Sequence, residues 1–286
     1  MIISVIYNTI LTEKLQVRRE KIFLLSPYKP TRLLNSAAFS AYAEFSERKR
    51  KKVRESILTI PVNEVFEPRE GCPICRMRDT VEEHICEYIM GAAMMEPDVR
   101  QDTNRLGFCF THYQQLMMQN NRLSLGLMLN SHLEELRGNI FEKKGLFAPK
   151  DAKAKKAGAI GDTCFVCSKV QWGIDHMLET VFTMFAKDGK FKNLFKSQEC
   201  FCMPHYHYLV QMSEAKMAKN DRAEFIKAMD TIMQEYITKL NSDVNDFCNS
   251  FDYRNAGKLH SEEMEHVRTS IERSVSFLTG RKPNSK

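Results

Sequence analysis

Cys72-Pro73-Ile74-Cys75 and, further on, Cys109-Phe110-Thr111-His112 are echoed later in the chain by Cys164-Phe165-Val166-Cys167 and Cys202-Met203-Pro204-His205. The intervals recur as well. Between Cys75 and Cys109 lie 33 residues and between Cys167 and Cys202 lie 34; His84 stands nine positions after Cys75, and His176 nine after Cys167. Tyr113 and Leu116 after the first Cys-x-x-His are answered by Tyr206 and Leu209 after the second. Recurrence at fixed spacing is the signature of an internal repeat.

A Cys-x-x-Cys pair lets a tight turn aim two thiolates at one point while nearby backbone N–H groups donate to the sulfurs. A Cys-x-x-His pair does the same from the first turn of a helix, where residues three apart share a side. Three thiolates and one imidazole make the closed tetrahedral set of a structural zinc site. Two such sets predict two zinc ions per chain, one in each copy: Cys72, Cys75, Cys109 and His112 in the first, Cys164, Cys167, Cys202 and His205 in the second. An iron-sulfur cluster is the lesser alternative for the same donors. Cys86, Cys200 and Cys248 have no counterparts in the other copy and read as small buried hydrophobes, with Cys200 also close enough in sequence to Cys202 to serve as a substitute ligand.

Around these motifs the pattern is helical. Met77, Val81, His84, Ile85, Tyr88, Ile89 and Ala92 repeat at three and four over 76–95, with further helices expected at 109–119, 123–141, 168–186, 203–218, 221–251 and, from an N-cap at Ser261, 261–279. Ile57 to Val62 reads as a short extended stretch, Pro97 to Gly107 as a polar loop, and the small, charged segment 148–158 as a linker. The fold class is therefore mostly α: two tandem helical repeats, each stapled by a Cys3His zinc site, plus a C-terminal helix. The divisions are a basic extension over 1–56, repeats over 57–147 and 161–255 joined by a linker over 148–160, and a final helix and tail over 256–286.

With 286 residues the chain buries a core without disulfides. Its net charge of +6 is unevenly spread. Residues 1–56 hold 12 Lys or Arg against 5 Asp or Glu, with the run Arg48-Lys49-Arg50-Lys51-Lys52, whereas the rest holds 30 against 31. Contact with nucleic acid would thus fall to the N-terminal segment alone. No apolar run is long enough to span a membrane and no signal peptide is recognisable, which points to the cytoplasm, where patterned cysteines bind metal more readily than they pair.

The run Ile60-Pro61-Val62-Asn63-Glu64-Val65-Phe66, the Cys-Pro-x-Cys motif, Glu96-Pro97-Asp98-Val99-Arg100, Gly107-Phe108-Cys109-Phe110-Thr111-His112 and Asp252-Tyr253-Arg254 together resemble an uncharacterised bacterial domain-of-unknown-function family over about 57–280. Members of that family are sometimes labelled ABC transporter substrate-binding proteins. This chain lacks the export signal and alternating βα pattern that such a label implies. The resemblance brings no activity with it.

Chemistry beyond the metal is thinly represented. There is no phosphate-cradling glycine loop, no nucleophile elbow and no HExxH helix. Glu263-Met264-Glu265-His266 has the Glu-x-x-His spacing of di-iron bundles without a partner set. His84 and His176 occupy equivalent positions and read as core histidines or supports for the metal units; the polar clusters at 96–100, at Asn120-Asn121-Arg122 and at 252–255 read as helix-end chemistry. The expected role is a non-enzymatic interaction or scaffold protein with a protein partner. Two alternatives stand beside it: a thiol redox enzyme or sensor using Cys72/Cys75 and Cys164/Cys167, and an enzyme with a pocket between the repeats.

Overall fold

The computed structural model describes residues 58–141, 152–160, 162–251 and 261–283. Among these residues every regular element is helical and none is a strand. The basic extension with its Arg48–Lys52 run, the whole cluster at 252–255 and the residue before Ser261 that would settle its N-cap reading lie outside them.

The first described element, α1, covers 58–66, where an extended stretch was expected. The β-branched run favours a strand locally, but Val62, Val65 and Phe66 fall on one helical face and are all buried. Pro61 sits early enough in the helix that its missing N–H costs little. Next comes α2, Pro73–Met90, whose Met77, Val81, Ile85 and Ile89 are buried as their spacing implies. A 3-10 turn, Ala92–Met95, follows.

The expected loop from Pro97 to Gly107 is a helix, α3, Pro97–Leu106. Proline in the first turn and a glycine with φ +59° at the C-terminal end are the start and stop signals of a helix, although few apolar residues mark it. Helices α4, Phe110–Met118, and α5, Arg122–Phe141, stand close to their expected places. Part of the expected linker is α6, Ala152–Ala159, whose alanines and lysines are good helix formers.

The second half contains α7, Phe165–Lys187; α8, Gly189–Lys196; α9, Met203–Lys216; and α10, Lys219–Ser250. Helix α8 was not anticipated. Asp188 caps it, accepting from the Lys190 N–H at 2.9 Å, and its buried Phe191 and Phe195 lie one turn apart. The expected single helix over 261–279 is two: α11, Ser261–Arg268, and α12, Ser270–Thr279, separated at Thr269 and closed by Gly280 in the left-handed region.

These helices pack as two compact units. A flanking unit takes the described residues up to Arg76 and those from Met177 on; an inserted unit takes Met77–His176. The divisions fall inside α2 and α7, and not in the segment 148–160. The flanking unit is built on an aromatic cluster in which Phe195 lies 5.1 Å from Phe185, 5.1 Å from Phe201 and 5.0 Å from Phe225, with Phe66 5.1 Å from Phe191. Gln198 ties α1 to this cluster by donating from Nε2 to the Phe66 carbonyl at 2.8 Å. The inserted unit packs α3 and α4 on α5, with Phe108 edge-on to Phe165 at 6.4 Å.

Candidate metal centres

All four half-sites use one local device, a cysteine at the entrance to a helix and its partner three residues on in the first turn. Cys72 and Cys164 precede α2 and α7, and the Arg76 and Ser168 N–H groups close the first turn on their carbonyls at 3.3 and 3.1 Å. Cys109 and Cys202 are the N-cap residues of α4 and α9, with nearly the same extended backbone (φ −73°, ψ 166° and φ −66°, ψ 155°). Tyr113 and Tyr206 close those turns at 2.9 and 2.8 Å. A helix N-terminus carries positive potential, which favours thiolates there.

The half-sites do not combine within a copy. Cys72 and Cys75 meet Cys202 and His205, whereas Cys109 and His112 meet Cys164 and Cys167, and in each group the donor atoms all lie within 4.8 Å of one another. In the flanking unit, His205 Nδ1 stands 3.5, 3.3 and 3.1 Å from the sulfurs of Cys72, Cys75 and Cys202. In the inserted unit, His112 Nδ1 stands 3.0, 3.2 and 3.4 Å from those of Cys109, Cys164 and Cys167. All eight expected residues thus gather in two Cys3His groups, but along the chain the groups are nested and not in tandem.

Helix length explains the exchange. The 18 residues of α2 span about 27 Å and the 23 of α7 about 34 Å, so each carries the chain well away from the cysteine pair in its first turn. In the inserted unit a backbone bridge then joins the two half-sites: Phe165 N–H donates to Gly107 O at 2.9 Å and Thr163 Oγ1 to Leu106 O at 2.8 Å. Gly107 is required there, because its φ is +59° and a Cβ would meet His132 Nε2 at 3.0 Å.

The surroundings differ in charge. His112 Nε2 hydrogen-bonds Glu82 Oε1 at 2.6 Å, which leaves Nδ1 for a metal and orients the ring. Burial lowers the His112 imidazole, but the Cys164 sulfur and Glu82 outweigh it and lift the group to about 10. Burial raises Cys164, and the hydrogen bond with His112 more than offsets it, bringing the thiol to about 6. Burial and the neighbouring Cys164 push Cys167 up to about 12. In the flanking unit burial likewise raises Cys72, yet its hydrogen bonds with Cys202, Cys75 and His205 hold it well below the usual thiol value. Cys75 is raised by its contacts with Cys202 and Cys72, and Cys202 is pushed to about 12 chiefly by Cys72. Burial lowers the Arg76 guanidinium, the Cys72 charge only partly opposing it, and its buried Nη2 has no hydrogen-bond partner. Cys72 in the flanking group is thus favoured as a thiolate over Cys75 and Cys202, and Cys164 in the inserted group over Cys167; a bound divalent cation would draw the remaining protons off.

The other singled-out residues stay outside the groups. Cys86 and Cys200 are buried, as expected of small hydrophobes; Cys86 donates to Gln115 Oε1 at 3.7 Å. Cys248 is exposed, contrary to expectation, because its position on α10 faces away from the buried stripe ending at Leu240. His176 lies on Trp172 at 4.1 Å with Nδ1 2.8 Å from that residue's carbonyl oxygen, and His84 has a buried Nδ1 without a partner. Asn121 caps α5, accepting from the Ser124 N–H, and Arg100 donates to Ser131, so both polar clusters serve helix ends and packing. Glu82 and Gly107 were the functional positions not read from sequence; only the helical offset of Glu82 from Cys75 and the glycine before Cys109 hinted at them.

No helix among the described residues is long and apolar enough to cross a membrane. Neither a curated protein nor a solved structure matches the chain. A family model does match it, over residues 53–285. That span contains both Cys3His groups and excludes the basic run at 48–52, and on it the chain belongs to a family of unknown function, DUF6062.

Proposed function

We propose that the chain is a non-enzymatic, zinc-stapled helical protein that presents its surface to a protein partner. The observation that carries this reading is the completeness of the donor sets: each group supplies three sulfurs and one Nδ1, all within 4.8 Å. Four protein donors fill the coordination of tetrahedral zinc and leave no position for a water or a substrate. Sulfur-rich donors also select zinc over the harder divalent ions. The His112–Glu82 contact is the carboxylate–histidine support typical of metal-bound imidazole.

A protein partner is favoured by the surface of the inserted unit, where Phe110, Met118, Leu123, Leu133 and Phe141 are all more than 60% exposed. The near-even balance of 30 basic and 31 acidic residues after position 56 speaks against a nucleic-acid surface in the body of the protein. Matched half-sites, matched N-cap geometry and the equivalent, fully buried Leu116 and Leu209 support an origin by duplication. A reducing, cytoplasmic setting accords with cysteines that are all unpaired.

Metal analysis of the purified full chain tests the zinc reading, with two zinc ions per chain expected. Replacement by cobalt should give the intense visible absorption of a tetrahedral thiolate complex. Iron with labile sulfide, or fewer than two zinc ions per chain in protein that remains folded, would overturn it.

A further inference from the structure

The two Cys3His groups differ in access. In the flanking unit Cys72 and Cys202 are 9% and 2% exposed, and the Gly280 carbonyl lies 3.6 Å from the Cys75 sulfur where the left-handed turn closes α12. In the inserted unit His112 and Cys164 are buried, but Cys167 is exposed, the one exposed donor among the eight. Its sulfur lies 3.9 Å from that of half-buried Cys109. Building on the zinc reading above, we propose that Cys109 and Cys167 form a peroxide-sensitive pair whose oxidation to a disulfide releases the zinc of the inserted unit while the flanking unit keeps its own.

The chemistry closes with hydrogen peroxide as the oxidant. The exposed Cys167 sulfur attacks one peroxide oxygen, the O–O bond breaks, and with one proton the departing oxygen leaves as water. Cys167 is then a sulfenic acid. Its lost electron pair weakens its hold on the ion and frees Cys109 to attack the Cys167 sulfur; the S–O bond breaks, and a second proton carries that oxygen off as a second water. Two thiolates, one peroxide and two protons become one disulfide and two waters: sulfur is oxidised and peroxide reduced. The sulfurs must close from 3.9 Å to about 2.05 Å. Zinc then retains two of four donors and leaves. The other groupings do not offer this route. Cys164 is buried, and in the flanking unit the counterpart of the reacting pair, Cys75 and Cys202 with sulfurs 3.6 Å apart, has one member almost fully buried and the other beneath Gly280. The distinction is one of access and rate, so it does not require the inserted unit to bind zinc less tightly.

The test uses the full zinc-loaded chain with Cys248→Ser, which removes the exposed thiol that belongs to neither group. Zinc content is measured first. Hydrogen peroxide is then added, released zinc is followed with a chromogenic chelator, and the disulfide is mapped by peptide mass spectrometry. One ion should leave quickly and the second at least about tenfold more slowly, with Cys109 joined to Cys167 and reduction restoring the site. Release of both ions at one rate, loss from the flanking unit first, or a Cys164–Cys167 disulfide would overturn the proposal and leave the zinc reading standing. Fewer than two ions before oxidant is added would overturn the zinc reading, and this proposal with it.

Discussion

Nested pairing makes a prediction that tandem pairing reverses. Cys72→Ser removes one of the four donors in the flanking group, and the three that remain cannot hold zinc in a closed site. The variant should therefore keep one ion of two. Adding Cys202→Ser strikes the same group, so Cys72→Ser/Cys202→Ser should still keep one. Adding Cys109→Ser instead strikes the inserted unit, and Cys72→Ser/Cys109→Ser should keep none. If each copy held its own ion, the two double variants would exchange results. The energetic pattern follows the same logic. Zinc bound at a structural site contributes on the order of 10 kcal/mol of folding free energy, as much as the whole stability of many domains. A second lesion in a group already emptied should therefore cost little, whereas one in the intact group should cost about as much as the first. Metal analysis of the three variants and the unmodified chain, with thermal unfolding followed by circular dichroism, checks both. A zinc-free Cys72→Ser/Cys202→Ser protein alongside a one-zinc Cys72→Ser/Cys109→Ser protein would refute the nested arrangement.

Glu82→Gln keeps the shape but removes the charge that holds the His112 ring, and should weaken zinc at the inserted unit by about 10- to 100-fold in a chelator competition while the flanking ion is unaffected. Gly107→Ala forces a left-handed backbone on alanine and brings its Cβ to 3.0 Å from His132 Nε2; a loss of about 1–2 kcal/mol or more is expected by chemical denaturation, with lowered zinc occupancy at the adjacent Cys109. In reduced, metal-free protein the raised His112 contributes stability below about 6.5 that is lost as pH climbs toward about 10, and the lowered Cys164 contributes stability above about 9 that is lost as pH falls through about 6. The metal-free inserted unit should thus be most stable between those limits and weaken on both sides, as read by helicity across a pH series; a monotonic dependence would count against the imidazolium–thiolate pair.

The donors themselves, the long helices and most of the buried faces were legible in sequence, because ligand spacing and the 3.6-residue period are local properties. The pairing of the half-sites was not. Cys75 can combine with Cys109 or with Cys202 at no change in local spacing, and the choice depends on where α2 and α7 deliver the chain. Helix α3 was missed because its sequence, Pro97 to Leu106, offers only Val99 and Leu106 as apolar positions; the start at Pro97 and the stop at Gly107 were the usable signals. Helix α8 is short, and its two buried phenylalanines lie among lysines. At 58–62 local β preference pointed the wrong way, and the burial of Val62, Val65 and Phe66 along one helical face decided the outcome.

Nesting also changes what bound metals would do for the chain. Tandem sites would close loops of 33 and 34 residues between half-sites, whereas the observed pairing closes 51 residues between His112 and Cys164 and 126 between Cys75 and Cys202. Loop-closure entropy grows by only about 0.6 kcal/mol per doubling, so the outer closure costs roughly 1 kcal/mol more than a tandem one would. The outer loop contains the inner one. Once the inserted unit has closed, its 51 residues no longer lengthen the path between Cys75 and Cys202, and most of that extra cost disappears. The inner group completes a unit whose residues are contiguous in sequence, Met77–His176; the outer group joins chain segments that flank it. On these grounds the inserted unit is the one able to form first, and its ion, once bound, brings the distant halves of the flanking unit closer along the chain. On the zinc reading proposed above, the same dependence would make release of the inner ion consequential, because it would restore the long loop that the flanking group must then hold closed alone.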